Sequence, residues 1–184
     1  LTVRDNILFG SPYDEAIYER VLDACALRTD LALLPSGDAT EIGERGINLS
    51  GGQKARIALG RACYAELQSP YATVLLDDVL AAVDAEVGAH LLSECICGLL
   101  ARHKCTTLFV THQPHHAAVC DHVVRIGHGV IEKQGSPAAF DELRSLSQPT
   151  SKSASRHGSS VALDAAAARA PSKPTSKRQD AQLQ

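Results

Sequence analysis

The stretch Leu49-Ser50-Gly51-Gly52-Gln53 decides the fold around it, because it starts a helix on residues that disfavour helices. Ser50 can act as the N-cap and Gln53 can complete a capping box, so a helix is expected through Leu59. Each glycine weakens that helix by about 1 kcal/mol relative to alanine, and a cap needs neither of them. Glycines at a helix N-terminus also leave bare backbone N–H groups that can hold a phosphate. A capped helix with a tight entry turn explains the same residues, so both interpretations are open at this point.

Two short apolar segments predict parallel β-strands. Residues 72–76 form an almost unbroken apolar run that stops at Asp77 and Asp78, and residues 107–111 form a second run that stops at His112. Such runs are typical of parallel strands that are covered on both faces.

The segment from Asp84 to about Arg102 predicts a helix between the two strands. Its apolar stripe consists of Val87, Leu91, Cys95 and Leu99. A strand–helix–strand crossover brings the C-terminal ends of both strands to one edge of the sheet, where open α/β sheets bind ligands. Asp77, Asp78 and His112 are therefore expected to converge there and to suit a hydrated Mg²⁺ ion, an attacking water and a phosphate sensor. A carboxylate pair at a strand end is also compatible with a solvated loop or a helix cap.

The helix start and the strand ends together resemble the latter part of an ATP-binding-cassette (ABC) nucleotide-binding domain. Residues 49–53 match that family's signature motif letter for letter, residues 74–77 resemble its Walker B strand, residues 81–84 fall at its D-loop, and His112 matches its switch histidine. The resemblance implies an α/β fold of the P-loop NTPase type, with parallel strands, crossover helices and a helical subdomain.

One branch of the family is especially similar. Residues 2–10, residues 41–48 and the Asp-Asp end of Walker B resemble the first nucleotide-binding domain of C-subfamily transporters, the multidrug-resistance-associated group. The resemblance covers roughly residues 1–146. It implies a helical subdomain at 6–48 and a region from the signature to beyond the switch histidine at 49–146.

Local signals predict three further elements of secondary structure. Ser11 is expected to cap a helix that Pro12 opens. Its apolar stripe would be Ile17, Val21 and Cys25. Residues 123–126 and 130–133 are expected to form a hairpin around Gly127-His128-Gly129. Pro137 is expected to open a last amphipathic helix, whose apolar residues are Phe140, Leu143 and Leu146.

The C-terminal residues 147–184 differ in composition from the rest of the chain. They are rich in Ser, Ala, Pro, Lys and Gln and hold almost no large apolar side chains. Because such a segment buries too little apolar surface to offset the entropy of ordering, it is expected to be a disordered, low-complexity tail.

The resemblance implies a mechanism in which two nucleotide-binding domains close head to tail around two ATP molecules. Each ATP site takes its P-loop, Walker B strand and switch histidine from one domain and its signature from the other. The signature residues of this chain would contact an ATP held by the partner domain, aided by the helix dipole; they are Ser50, Gly51, Gly52 and Gln53. Asp84, in the D-loop, would couple the two sites.

Three residues would serve the chain's own ATP site. Asp77 would hold Mg²⁺ largely through water, and His112 would sense the γ-phosphate. Asp78 stands where the family usually has the catalytic glutamate. The shorter side chain withdraws the carboxylate by about 1 Å, which can cost on the order of 100-fold in rate, so this site is expected to be slow. Val79 and Ala81 also depart from the Pro and Ser that the family usually has.

No Gly-Lys pair occurs in the sequence, so it holds no P-loop of the form Gly-x-x-x-x-Gly-Lys-Ser/Thr. The family places that loop upstream of the segment that opens at Leu1. The chain is therefore expected to be an N-terminally truncated fragment of a transport ATPase, inactive alone, that acts with transmembrane domains at the cytoplasmic face of a membrane. The alternative is a non-catalytic ABC-like partner or regulatory module that has lost nucleotide binding.

Composition argues against several other functions. A net charge of −3 gives no basic face for nucleic acid. No run approaches the roughly 18 apolar residues of a spanning helix. The six cysteines lack Cys-x-x-Cys spacing, which favours reduced core thiols over a metal site.

Overall fold

The described part of the chain is a mixed α/β structure, as the sequence predicts. The computed structural model describes residues 1–43, 48–69, 73–103 and 105–143. The helices are α1 (Val3–Leu8), α2 (Glu15–Ala24), α3 (Arg28–Leu33), α4 (Gly51–Gln68), α5 (Ala85–His90), which continues as a π-helix (Leu91–Leu100), and α6 (Pro114–Ala117). The strands are β1 (Thr73–Asp77), β2 (Thr106–Val110), β3 (Val123–Gly127) and β4 (Val130–Gly135). Short 3₁₀ turns lie at Gly37–Ala39 and Pro137–Ala139.

Helix α4 is the central element of the core. Its buried residues share one apolar cluster with α1, α2, the π-helix and β1. Gly60 faces α1 and α2, because a Cβ there would lie in van der Waals contact with Ile7 of α1 at 3.8 Å and with Val21 of α2 at 3.5 Å. The helix that begins at the signature is thus fixed from several sides.

The predicted start of α2 at Ser11 and Pro12 is wrong. The helix begins at Glu15, and Asp14 is its N-cap, with the carboxylate accepting the Ile17 N–H at 2.9 Å. Tyr64 of α4 explains the difference. Its hydroxyl donates to the Pro12 carbonyl at 2.6 Å and accepts from the Asp14 N–H at 2.8 Å, so the preceding loop is held against α4.

The helix predicted after Asp84 is confirmed, although most of it has the wider π geometry. Asp84 caps α5, and the apolar stripe is largely buried, with Leu91 and Cys95 fully so. Gly98 suits the π-helix because a Cβ at that position would lie only 2.7 Å from the Ser93 carbonyl oxygen.

Strands β1 and β2 pair in parallel, as the crossover predicts, with Asp77 opposite Val110. The expected cover on both faces is wrong for the described residues. Val74 and Leu76 are buried in the core, but Leu75 is 70% exposed and Leu108 is 58% exposed on the other side. The core cluster of the described residues includes Val74 and Leu76 but neither Leu75 nor Leu108, so the face that carries Leu75 and Leu108 is the more open one.

The predicted hairpin is confirmed as β3 and β4. Its turn is shorter than predicted, since Gly127 pairs with Val130 and only His128 and Gly129 lie between the strands. Both have positive φ, 51° and 78°, which suits a tight hairpin turn.

The last predicted helix begins differently from the expectation. Pro137 opens a 3₁₀ turn, after which Phe140 adopts an extended conformation and the chain becomes helical again at Asp141. Phe140 and Leu143 are buried, as expected of apolar helix positions. Leu146 and the tail at 147–184 lie outside the described residues. In the part of the chain that is described, no helix has the length and hydropathy needed to cross a bilayer.

Candidate functional site

The N-terminus of α4 carries the capping box that the sequence predicts. The Ser50 hydroxyl accepts the Gln53 N–H at 3.2 Å, and the Gln53 side chain accepts the Ser50 N–H at 2.9 Å. An α-helix supplies no acceptor of its own for the N–H groups of its first residues, here Gly51 and Gly52. Ser50 and Gly51 are exposed. This helix end can therefore offer backbone donors to an anion.

The two glycines of the signature differ in what surrounds them. A Cβ at Gly51 would meet nothing within 4 Å, so a ligand can approach there. A Cβ at Gly52 would lie 3.0 Å from the Ala82 carbonyl oxygen. Gly52 therefore has a second role besides leaving space for a ligand, because it lets the loop after β1 pack against the helix.

A half-buried ion pair, which sequence reasoning missed, fixes the first turns of α4. The Asp30 carboxylate of α3 accepts from the Gln53 side chain at 3.2 Å and from two guanidinium nitrogens of Arg56 at 3.1 and 2.5 Å. In sequence, Asp30 is only an acidic residue in the first turn of a short helix, so no local signal identifies its partners. The contact joins the signature helix to the helical segment before it.

The strand-end residues lie at one edge of the parallel sheet, as predicted. Asp77 is the last residue of β1 and is exposed. Asp78 follows with a left-handed φ of 48°, and its N–H donates to the Val110 carbonyl at 3.0 Å. His112 is exposed and lies two residues beyond that carbonyl. The hydrogen bond therefore ties the carboxylate pair to the segment that carries the histidine.

A second histidine lies behind this edge and was missed by sequence reasoning. His116 of α6 is only 6% exposed, and its Nδ1 lies 3.1 Å from the Thr111 hydroxyl. Burial lowers the pKa of His116, and the neighbouring His115 lowers it further, while the Asp78 carboxylate acts in the opposite direction. His116 thus supports the backbone between β2 and His112.

Stability should depend on pH through His116. The pKa of His116 is lower in the folded chain than the ordinary value of about 6.5. The contribution of His116 to the free energy of unfolding is therefore complete above about pH 6.5 and is lost as the pH falls through the folded pKa. We expect His116→Gln to flatten the fall in unfolding free energy between about pH 7 and pH 5. Urea unfolding at a series of pH values measures this slope. The matched variant is His122→Gln at an exposed histidine; an equal flattening in both variants would contradict the assignment.

Asp84 has a clear local role as the N-cap of α5. Its carboxylate accepts the Val87 N–H at 2.9 Å, and this hydrogen bond holds the pKa of Asp84 below its ordinary value. Arg56 adds a smaller effect in the same direction. The loop after β1 therefore packs against the signature helix at Gly52.

Comparison with known proteins identifies the family of the chain. No protein-family model matches the chain. Several curated proteins are similar to the chain in sequence, and they show that the chain belongs to the ATP-binding-cassette family. The ABC-type transporter cicA of Emericella nidulans is 54% identical over 144 residues, which is 77% of this chain. ATP-binding cassette sub-family C member 10 of Homo sapiens is 46% identical over 157 residues, or 85% of this chain. ATP-binding cassette sub-family C member 2 of Homo sapiens is 50% identical over 141 residues, or 76% of this chain.

The similarity covers a small part of each relative. The chain spans 10% of the Emericella transporter, 10% of human member 10 and 9% of human member 2. Most of these relatives are sub-family C transporters, which is the subfamily that the sequence motifs resemble.

Proposed function

We propose that this chain is part of the ATP-binding and ATP-hydrolysing unit that drives an ABC-type membrane transporter. The observation that carries the proposal is the packing of Gly52 against Ala82, which places the signature helix beside the loop that follows the strand-end carboxylates. The N-terminus of α4 offers backbone N–H donors, and it lies beside the sheet edge that carries the carboxylates. This arrangement suits a protein that couples two nucleotide sites. The similarity to ABC transporters supports the same function.

The proposed architecture is a partial nucleotide-binding domain of the P-loop NTPase type at residues 1–146. A second nucleotide-binding domain would close on it head to tail. Ser50 and Gly51 would then donate hydrogen bonds to the γ-phosphate of an ATP that the partner domain holds, with Gly52 and Gln53 supporting the helix end. Asp84 would transmit the state of one site to the other through its place beside the signature helix.

The strand-end residues fit a second ATP with its magnesium ion. Asp77 is an exposed carboxylate, and carboxylate oxygens and water are the ligands that Mg²⁺ prefers. The ion neutralises negative charge on the phosphates when it is bound. In this proposal Asp77 orients the hydrated ion, and His112 hydrogen-bonds the γ-phosphate.

Asp78 is proposed to make this second site slow, because its carboxylate reaches about one bond less far than that of glutamate. We therefore expect Asp78→Asn to change steady-state hydrolysis by the transporter by only a few-fold. Asn tolerates the left-handed backbone found at Asp78, so the variant changes charge without adding strain. ATPase assays of the reconstituted transporter measure the effect. A loss of nearly all hydrolysis would show that Asp78 serves the faster site.

The 184-residue chain alone is expected to bind Mg-ATP weakly, because its sequence has no Gly-Lys pair to cradle the β- and γ-phosphates. Isothermal titration calorimetry with Mg-ATP should give no saturable binding in the micromolar range. Micromolar affinity would contradict the assignment of this segment to a two-domain site.

The same lack of a Gly-Lys pair favours one alternative, a regulatory or partner module that no longer binds nucleotide. Sequencing of the transcript upstream of the Leu1 codon distinguishes the two. A P-loop and membrane spans in the same reading frame support the transporter. A start codon next to Leu1 supports the module.

A further inference from the structure

Three cysteines that are far apart in sequence meet in the core. Cys25 ends α2, Cys63 lies in α4 and Cys95 lies in the π-helix, and each is fully buried. The Sγ atoms of Cys63 and Cys95 are 3.3 Å apart, and those of Cys25 and Cys95 are 3.9 Å apart. All three Sγ atoms lie within 4.8 Å of one another.

These separations match the geometry of three sulfurs around one metal ion. At a metal–sulfur distance of about 2.3 Å, three sulfurs in a plane around the ion stand about 4 Å apart. The observed Sγ separations extend from 3.3 Å to at most 4.8 Å, so small side-chain movements suffice. We propose that Cys25, Cys63 and Cys95 form a binding site for one soft metal ion, Cu(I), held by three sulfurs.

The number and type of ligands favour Cu(I) over zinc. Structural zinc sites are almost always four-coordinate, whereas the described residues provide three ligand atoms at this place. Sulfur ligands select soft ions such as Cu(I). Magnesium is excluded because it requires oxygen ligands.

The position of the site connects it to the rest of the fold. Cys63 belongs to the same helix that begins at the signature, and Cys95 belongs to the helix that Asp84 caps. An ion held by both would fix the distance between these helices. Since the three thiols are buried, the ion enters through local opening of the core, and coordination releases the protons of those thiols that bind as thiolates.

The test uses the reduced 184-residue chain under anaerobic conditions, with Cu(I) delivered from a bicinchoninate complex. The remaining cysteines offer a matched control, because Cys97, Cys105 and Cys120 lie outside the cluster. The triple variant Cys97→Ala, Cys105→Ala, Cys120→Ala should retain one equivalent of Cu(I). X-ray absorption should then show three sulfur neighbours at about 2.3 Å.

Cys95→Ala should weaken Cu(I) binding by more than about 100-fold. Removal of a residue that only hydrogen-bonds a metal ligand already costs up to about 100-fold in affinity, and loss of a ligand should cost more. The triple variant leaves all three core cysteines in place, so its sulfur count decides the question even if Cys95→Ala does not fold. The Cu(I) measurements would overturn the proposal in three cases: no Cu(I) retained, Cu(I) lost in the triple variant, or two sulfur neighbours in place of three. A four-coordinate zinc ion that displaces Cu(I) would also overturn it.

Discussion

Ser50→Arg is expected to lower steady-state ATP hydrolysis by about 100-fold or more in the transporter that contains this segment. The variant places a bulky side chain at the exposed end of α4, where Ser50 and the open side of Gly51 would receive a γ-phosphate. An enzyme that loses one hydrogen-bond donor aimed at the negative charge of its transition state can lose this much activity. ATPase assays of purified, reconstituted transporter measure it.

The control separates loss of binding from loss of helix capping. Asp14→Ala removes the N-cap of α2, which costs about 1 kcal/mol, as removal of the Ser50 cap does. It lies away from the signature and should leave hydrolysis unchanged. If Ser50→Arg leaves hydrolysis intact while Asp78→Asn abolishes it, the assignment of the fast and slow sites is reversed.

Asp30→Ala is expected to lower the free energy of unfolding by about 3 kcal/mol. The side chains of Asp30 and Arg56 are only 16% and 11% exposed, so removal of the carboxylate leaves a half-buried guanidinium without its partner. The same change removes the acceptor of the Gln53 side chain. Urea unfolding of the 184-residue chain, followed by circular dichroism, measures the loss.

An exposed ion pair provides the matched control for Asp30. The side chains of Asp23 and Arg28 are 63% and 49% exposed, so Asp23→Ala should cost less than about 1 kcal/mol. The double variant Asp30→Ala, Arg56→Met should recover part of the loss, because it removes the uncompensated charge. Equal losses for Asp30→Ala and Asp23→Ala would contradict the role given to the half-buried pair.

Features that depend on neighbouring residues could be predicted from the sequence. The Ser50–Gln53 capping box, the parallel strands, the Asp84 helix and the β3–β4 hairpin all rest on caps, turns or periodicity within a few residues. The position of Asp77, Asp78 and His112 at the same edge of the parallel sheet could be predicted from one topological rule, the parallel crossover.

Features that depend on distant partners could not be predicted in this way. The start of α2 differs from the prediction because the Tyr64 hydroxyl binds the Pro12 carbonyl, and these two residues are 52 positions apart in sequence. Asp30 and Arg56 are 26 residues apart, and Cys25 and Cys95 are 70 residues apart. Local propensity contains no information on such pairs. The exposed face of β1 was mispredicted for a related reason, since an apolar run does not show which of its faces other elements cover.

The most direct test of the central claim is the structure of the ATP-bound transporter, determined by cryo-electron microscopy. The account predicts that the Ser50 hydroxyl and the Gly51 N–H lie roughly 3 Å from γ-phosphate oxygens of an ATP held by the P-loop of the other domain. Asp77 and His112 should face a different ATP. A structure in which Ser50 and Asp77 contact the same ATP, or in which no phosphate reaches Ser50, would contradict the account.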